Sequence, residues 1–365
     1  MNRVAIIGAG RIGASIAKLL HQTGDYAVLL ADRTSHALES SGLPAGVETR
    51  LLDIGDSDQL LTLLSEYQAV VSACSFDASP LIAAAAAEVG VSYFDLTEDV
   101  ATADLINEIA TENPRPGQVF VPQCGLAPGF IGILGHHVGK QFDQLESLKL
   151  RVGALPEFPS NTLMYNLIWS TQGLINEYCN PCQAIRGGER VELTPLEGLE
   201  TFSLDGMAYE AFNTSGGLGT LCQTLDGKVE DLTYKTIRYK GHQYLMNFLI
   251  NSLKLGQRRT LLKQIFENAV AATKQDVVLI MVTATGMVDG KFMQITDSRK
   301  IYHDCIDGEH WGAIQITTAS SLCAVLDLFF QGKLPNQGYV RQEQIDFNDL
   351  IDNRFAGCFV NKSRV

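Results

Sequence analysis

Gly8-Ala9-Gly10-Arg11-Ile12-Gly13 narrows the architectures open to this 365-residue chain more than any other stretch. It follows the apolar run Val4 to Ile7 directly and opens an apolar helical window, Arg11 to Gln22, so it reads as the first turn of a βαβ unit. Each glycine has a physical task in such a turn: Gly8 takes the tight bend, Gly10 lets backbone amides approach a pyrophosphate, and Gly13 lets helix and strand pack closely. Arg11 and Ile12 complete the expected cofactor loop. Asp32 ends the next strand 19 residues after Gly13, where an acid accepts hydrogen bonds from a ribose 2′-hydroxyl and repels a 2′-phosphate. The expected cofactor is therefore NAD, with NADP as the alternative. Arg33 beside it can stack on adenine, cover a phosphate or stand as a solvated arginine. Asp53, after the third strand, caps the adenine pocket or is a solvated loop acid. Cys74 and Ser75, at the end of the fourth strand, should pass near the nicotinamide, because ligands sit outside the carboxyl ends of parallel strands.

The alternation continues through about residue 125. Strands are expected at Val4 to Ile7, Ala27 to Ala31, Glu48 to Leu52, Ala69 to Ala73, Ser92 to Leu96 and Val119 to Pro122, with helical windows between them. That is an α/β doubly wound parallel sheet, a Rossmann domain over residues 1–127. Ala127-Pro128-Gly129 breaks the pattern and is expected to open a connecting helix toward Val138. Beyond it, a strand at Leu148 to Gly153, a helix at Met164 to Tyr178, and hairpins about Gly187-Gly188 and Asp289-Gly290 predict a second, α+β domain on a mostly antiparallel sheet, residues 128–311. Ala313 to Phe330 reads as one long helix, and the segment from about 312 to 365 is expected to return to the first domain.

Charge narrows the partners. With 28 Lys and Arg against 41 Asp and Glu, the net charge of −13 repels nucleic acid and anionic membranes, and no basic cluster offsets it. A small molecule is the expected ligand, and a homo-oligomer, a dimer first, the expected assembly. Met1-Asn2-Arg3-Val4 runs straight into a strand rather than a signal peptide, and the cysteines lie mostly in apolar runs, so a reduced, cytoplasmic location without structural disulfides is expected. Cys179-Asn180-Pro181-Cys182 has no second cysteine pair at metal spacing and reads as a structural loop; no metal site is expected.

Several longer stretches carry a resemblance: Asp95-Leu96-Thr97-Glu98-Asp99, Cys124 to Gly129, Gly173 to Cys182, Glu210 to Leu221, and Tyr234 to His242. With them the chain resembles the saccharopine dehydrogenase family, and within it the lysine 6-dehydrogenase branch, over nearly its whole length. Lys240 departs from the pattern, standing where proline would precede the Gly-His pair. The resemblance implies an oxidoreductase that takes hydride from an amine-bearing carbon: L-lysine at its ε-carbon, giving 2-aminoadipate semialdehyde and ammonia. The alternatives are a saccharopine or carboxynorspermidine type enzyme joining an amine and an aldehyde, and a NAD-binding sensor without turnover.

Such chemistry needs a neutral amine, activated water and an anchor for the α-carboxylate. Asp95, ending the fifth strand, is expected to hold the substrate ammonium or take its proton, with a helix N-cap as the plain alternative. Cys124, ending the sixth, is expected to contact the substrate without acting as a nucleophile. In the second domain Lys235, Arg238 and His242 form a cluster of cationic and titratable groups. If Tyr234 to Arg238 is a strand, Thr236 and Arg238 share one face and Lys235 points to the other. Arg238 is then the carboxylate fork, with Asn213 and Thr214 as neutral helpers, and His242 a base, a carboxylate ligand or a polar helix start. For Lys235 and Arg238 the competing reading is a surface strand of solvated charges.

Overall fold

The computed structural model describes residues 1–112 and 114–360. The chain runs β1 (Asn2–Ile7), α1 (Arg11–Gln22), β2 (Tyr26–Asp32), α2 (Ser35–Ser40), β3 (Glu48–Leu51), α3 (Ser57–Leu64), β4 (Ala69–Ser72), α4 (Ser79–Val89), β5 (Ser92–Asp95), α5 (Val100–Glu112), β6 (Val119–Val121) and α6 (Ile131–Gly139). It continues through β7 (Gln144–Pro156), α7 (Thr171–Cys179), β8 (Cys182–Arg186), β9 (Glu189–Leu193), β10 (Glu200–Leu204), β11 (Met207–Asn213), α8 (Leu221–Thr224), β12 (Asp231–Tyr239), α9 (His242–Asn247) and α10 (Arg259–Ala269). Last come β13 (Asp276–Val288), β14 (Lys291–Tyr302), β15 (Asp304–Ile306), β16 (Glu309–Trp311), α11 (Ala313–Phe330), β17 (Gly338–Tyr339) and α12 (Phe347–Ile351). Two compact units result, one of Met1–Ile133 with Thr317–Val360, the other of Leu134–Ile316. The chain passes from the first to the second inside α6 and returns inside α11, a few residues beyond the boundaries expected at 127 and 311.

In the first unit the described strands form a parallel sheet of order β17-β6-β5-β4-β1-β2-β3. β1 lies between β2 and β4, so the winding direction reverses there and leaves a crevice outside the carboxyl ends of β1 and β4. β4 and β5 are buried at every position, which explains the apolar centres Val70-Val71 and Tyr93-Phe94: a parallel strand is covered on both faces. α11 is apolar all round for a related reason. It is long and apolar enough to cross a membrane, yet 78% of it is buried. Phe329 packs edge-on against Phe94 at 5.5 Å and Phe330 against Tyr26 at 5.7 Å. Buried Asp327 on the same helix accepts from Asn353 Nδ2 (2.8 Å) and Arg354 Nη2 (2.7 Å), tying down the Asn353-Arg354-Phe355 segment. β17 then adds to β6, completing the sheet from the far end of the chain. Two residues are too short for any periodicity, and β17 was not expected. Residues 361–365 of the returning segment lie outside the described residues.

The second unit is built on β10-β11-β12-β7-β13-β14, with the β8–β9 hairpin attached to β12; β12 and β7 run parallel and the other pairs antiparallel. Both expected hairpins turn where the glycines predicted, with Gly187 and Gly188 at φ 57° and 79°, and Asp289 and Gly290 at 49° and 72°. The same Asp-Gly signal at Asp205-Gly206 makes the β10–β11 turn. Three expectations need correction. The helix predicted from Met164 starts only at Thr171, because Met164 takes a left-handed φ of 51° and Ser170 Oγ caps the helix by accepting from Gly173 N at 3.1 Å. The strand predicted at Leu148 to Gly153 runs from Gln144 to Pro156, extended by pairing along β13. The connecting helix starts at Ile131 rather than at the Ala127-Pro128-Gly129 break, since Gly129 has φ 126° and its backbone is pressed against Gln123 O.

Candidate active site

The β1–α1 turn has the shape its glycines predicted. A Cβ on Gly8, at φ 110°, would lie 2.7 Å from Ala73 O, and one on Gly13 would lie 1.9 Å from Gly8 O. Side chains are thus excluded where the turn meets the end of β4 and where α1 meets the turn. Gly10 is different: a Cβ there would meet nothing within 4 Å, so the space in front of it is open. Gly10 is also the N-cap of α1, with no side-chain cap and no acid in the first turn, so the amides at the positive helix end face a place suited to an anion. A dinucleotide fits this cradle. Arg11 is exposed and Ile12 half-buried at its rim.

Asp32 fixes the turn as well as flanking it. Its Oδ2 accepts from Ala9 N (2.8 Å) and its Oδ1 from Thr34 N (2.9 Å) and Thr34 Oγ1 (3.1 Å). Burial alone would raise its pKa, but these donors outweigh it and hold the carboxyl below its usual range, ionised. Arg33 is exposed beside it. Asp53 is exposed and turns back to accept from Gly55 N at 3.0 Å, shaping its own loop. Cys74 is half-buried with its thiol on Ile7 O at 3.3 Å; burial, then the charge of Asp32, pushes that thiol up to about 11. Ser75 follows it, exposed.

At the ends of β5 and β6 the structure encloses both residues expected to face substrate. Asp95 is 0% exposed; its carboxylate accepts from Tyr93 Oη (2.8 Å), Thr97 N (3.0 Å) and Gln123 N (2.8 Å). It fastens the ends of two strands together, and burial pushes its pKa up to about 6 despite the donors. Asp99, not Asp95, caps α5, accepting from Thr102 N at 2.9 Å. Cys124 is also 0% exposed and donates to Val121 O at 3.0 Å; burial, then Asp95, raises its pKa far above the ordinary thiol range, so it is no nucleophile. Glu98 and Asp99 are both half-buried in this loop, and Asp99 is spent on the α5 cap. Burial, helped by the charges of Asp99 and Asp95, pushes the Glu98 carboxyl up to about 7, the range of a general base. Nothing in the run Asp95-Leu96-Thr97-Glu98-Asp99 marks it out, because burial and hydrogen-bond partners acquired on folding separate these three acids.

In the second unit Tyr234 to Arg238 is a strand, and its two faces part as expected. On one, Lys235 stands in register with Asn213 and Arg151. Lys235 Nζ donates to Gly198 O and to Glu200 Oε1 (2.8 Å), and Arg151 Nε donates to Glu200 Oε2 (2.8 Å). Burial pulls the Lys235 pKa below its ordinary value, although Glu200 supports the charged form. This is a closed ion-pair network; Lys235 is not turned toward Arg238. Asn213 belongs to the same side, where its Nδ2 donates to Thr194 O at 3.3 Å and its side chain packs on Gly198, so it is no helper of Arg238. Thr214 is buried with its hydroxyl lacking a hydrogen-bond partner.

Arg238 lies on the other face, 2% exposed. A solvated surface strand is ruled out. Its Nε donates to Tyr178 Oη (2.8 Å) and its Nη1 to Ile237 O (2.9 Å), while Glu177 Oε2 stands 3.8 Å from Nη2. His242 joins through Tyr178: Nε2 and Tyr178 Oη are 3.0 Å apart, and Nδ1 lies 2.8 Å from Leu163 O. A carbonyl can only accept, so Nδ1 carries the proton; Nε2 then accepts from the tyrosine, whose oxygen accepts from Arg238. Burial, reinforced by the Arg238 charge, pulls His242 down to about 3, so it is neutral and its lone pair is occupied. His242 opens α9 as a polar start and positions Tyr178 and Arg238; it is not the base. Glu177, Tyr178 and Glu210 were not assigned roles from sequence. Glu210, opposite Arg238 in register, turns its oxygens to Gly241 N (2.8 Å) and Gln243 N (2.6 Å) at the start of α9.

The depressed His242 pKa has a consequence for stability. In the unfolded chain this imidazole takes a proton near its ordinary value of 6.5, whereas the folded protein refuses it until about 3. Stability from this group is therefore complete above 6.5 and is lost as pH falls. Asp95 and Glu98, raised, act in the opposite direction. Comparing His242→Gln with wild type isolates the histidine: the variant should gain roughly 2 to 3 kcal/mol relative to wild type between about pH 7 and about pH 4.5. Thermal unfolding at both pH values checks this, and a constant gap contradicts a buried neutral histidine.

Comparison with known proteins agrees with this architecture. Residues 4–117 match the family model described as saccharopine dehydrogenase NADP binding domain, and residues 125–357 match saccharopine dehydrogenase C-terminal domain. The chain is 22% identical over 281 residues to "Saccharopine dehydrogenase [NADP(+), L-glutamate-forming]" of Saccharomyces cerevisiae, covering 73% of this chain and 61% of that protein. It is 21% identical over 278 residues to "Alpha-aminoadipic semialdehyde synthase, mitochondrial" of Rattus norvegicus, covering 70% of this chain and 28% of that one. The chain thus spans less than two thirds of the length of these curated relatives. Among solved structures, apo saccharopine dehydrogenase (L-Glu forming) from Saccharomyces cerevisiae shares the fold, with a TM-score of 0.80, 16% identity and 96% coverage of both chains.

Proposed function

This chain belongs to the saccharopine dehydrogenase family, and on that premise we propose that it oxidises an amino acid at an amine-bearing carbon, L-lysine at the ε-carbon, with NAD as hydride acceptor. Loss of hydride from the ε-carbon gives an imine, which takes up water and releases ammonia. The observation that carries an amino-acid substrate is the buried Arg238, whose Nε and Nη1 are pinned by Tyr178 and Ile237 so that its Nη2 end is fixed in advance for a carboxylate. Glu98, whose carboxyl burial pushes up to about 7, has the proton affinity a general base of this chemistry needs. The test is NADH formation from lysine with ammonia measured in the same vessel, at a pH approaching the ε-amine value of about 10.4. NADH and ammonia in equal amounts are expected. The other reading takes its support from the name of the yeast relative: a saccharopine substrate would yield glutamate and no ammonia.

NAD rather than NADP rests on Asp32, ionised and fixed at the ribose end of β2. Asp32→Asn keeps an oxygen for one of the backbone donors and deletes the charge. It should shift the preference toward NADP by roughly 1 to 3 kcal/mol, read as the ratio of kcat/KM values for the two cofactors. A wild type that already prefers NADP removes this assignment.

A further inference from the structure

We propose that this chain self-associates through two oppositely charged faces: a basic, apolar face on α9 and α10 of one copy receives an acidic, apolar face on α4 and α5 of another. The net charge of −13 conceals a segregation. Leu51 to Pro114 contains twelve Asp and Glu and no Lys or Arg, whereas Leu232 to Phe266 contains seven Lys and Arg and no Asp or Glu. The bases of the second block are spread along the sequence, so the expectation that no basic cluster offsets the acids is corrected by folding, which gathers them.

In the second unit α9 runs on into the helical turn Phe248–Ser252, and Gly256 presses back on that turn: a Cβ there would lie 3.0 Å from Ile250 Cγ2. α10 follows at Arg259. Lys240, Lys254 and Arg258 are exposed on this stretch and, among the described residues, have no acidic partner. It also exposes Tyr244, Phe248, Leu253, Leu261 and Ile265, at 39% to 73%. Among the described residues no other stretch of this length exposes as many large apolar side chains, and such clustering marks an interaction surface. In the first unit α4 and α5 pack side by side. Leu81 and Glu88 stand two turns apart on the solvent side of α4, and Leu105, Glu108 and Glu112, at i, i+3 and i+7, on that of α5. Leu81 is 55% and Leu105 48% exposed, and none of the three glutamates has a cationic partner among the described residues.

Each face sets apolar anchors beside charges of one sign, the make-up of a protein interface. Neither can dock on its own counterpart in a second copy, because like charges would meet. Basic against acidic is the arrangement left, a head-to-tail contact between unlike patches. The chain carries both halves of it, so the occupant is a second copy. At about 0.1 M salt charges act over about 10 Å, so these local charges govern docking and the overall excess of acid does not.

Sedimentation equilibrium of the full chain at about 0.1 M salt is the test. Wild type should exceed the 39.8 kDa of one chain. Raising salt to about 1 M, which cuts the screening length to about 3 Å, should move it back toward that mass. Two charge-reversal variants follow: Lys254→Glu with Arg258→Glu, and Glu108→Lys with Glu112→Lys. Each alone should self-associate roughly tenfold to hundredfold more weakly, since attraction becomes repulsion. An equimolar mixture of the two should recover association, because each face of one variant is again opposite in charge to the face it meets on the other. That recovery also reports that both variants are folded. A wild type of single-chain mass, association unmoved by salt, variants as heavy as wild type, or a mixture no heavier than its components overturns the proposal. Binding of polyglutamate by a monomeric wild type, lost in the first variant, overturns it in favour of a foreign acidic partner for the basic face.

Discussion

Gly10→Ala is expected to abolish useful NADH binding while leaving the protein as stable as wild type. Gly10 has φ −68°, which alanine adopts freely, and a Cβ there meets no protein atom within 4 Å. The added methyl enters only the space that a pyrophosphate needs, and the loss should be roughly hundredfold or more, about 3 kcal/mol. Gly13→Ala supplies the contrast. Its Cβ would lie 1.9 Å from Gly8 O, so the turn must deform, and both NADH affinity and melting temperature should fall. Fluorescence titration with NADH and thermal unfolding of the two variants separate these outcomes. A Gly10→Ala protein that binds NADH like wild type would show that the turn is only a turn.

Arg238→Lys is expected to be nearly as damaging as Arg238→Ala although it preserves charge. Lysine cannot hold Tyr178 and Ile237 while presenting a second donor edge, as the guanidinium does. For Arg238→Ala the loss in kcat/KM with lysine should be roughly 2 to 5 kcal/mol, the range for breaking a desolvated charge pair. NADH affinity should hardly change, since Arg238 and the Gly8 to Gly13 turn lie in separate compact units. Cadaverine, which lacks the carboxylate, is the control: a poor substrate for wild type, it should lose little more in either variant. Equal falls for lysine and cadaverine would assign Arg238 to the fold alone. Part of any loss will appear as stability, because removing the guanidinium leaves Glu177 buried without its cation, and melting temperatures measure that part.

Local chemistry carried most of the fold. The order of strands and helices in the first unit, the glycine turn, Asp32 and the I′ hairpins at Gly187-Gly188 and Asp289-Gly290 follow from spacing and backbone preference, which act over a few residues. So did the division of Lys235 from Arg238, because side chains in a strand alternate. Where a local signal is absent or outweighed, sequence and structure part: two-residue β17 has no period, and the apolar window from Met164 yields to a left-handed residue and the Ser170 cap.

The site was legible as residue types and not as roles. Sequence picked out Asp95, Cys124, His242 and Arg238, but a role depends on which lone pairs and protons remain available after folding, and that is decided by neighbours distant along the chain. Gln123 N and Tyr93 Oη occupy Asp95, Leu163 O and Tyr178 Oη fix the tautomer of His242, and Glu200 closes around Lys235. Burial separates Glu98 from the fully enclosed Asp95, and the α5 cap separates it from Asp99, three acids that composition cannot tell apart. Residue spacing was enough for the parallel sheet, the dinucleotide turn and the face of β12 that holds Arg238, since these follow from period and from backbone freedom. Packing is what makes fasteners of Asp95 and His242 and encloses Arg238 among Tyr178, Ile237 and Glu177, because desolvation and hydrogen-bond partnership are properties of neighbours distant along the chain.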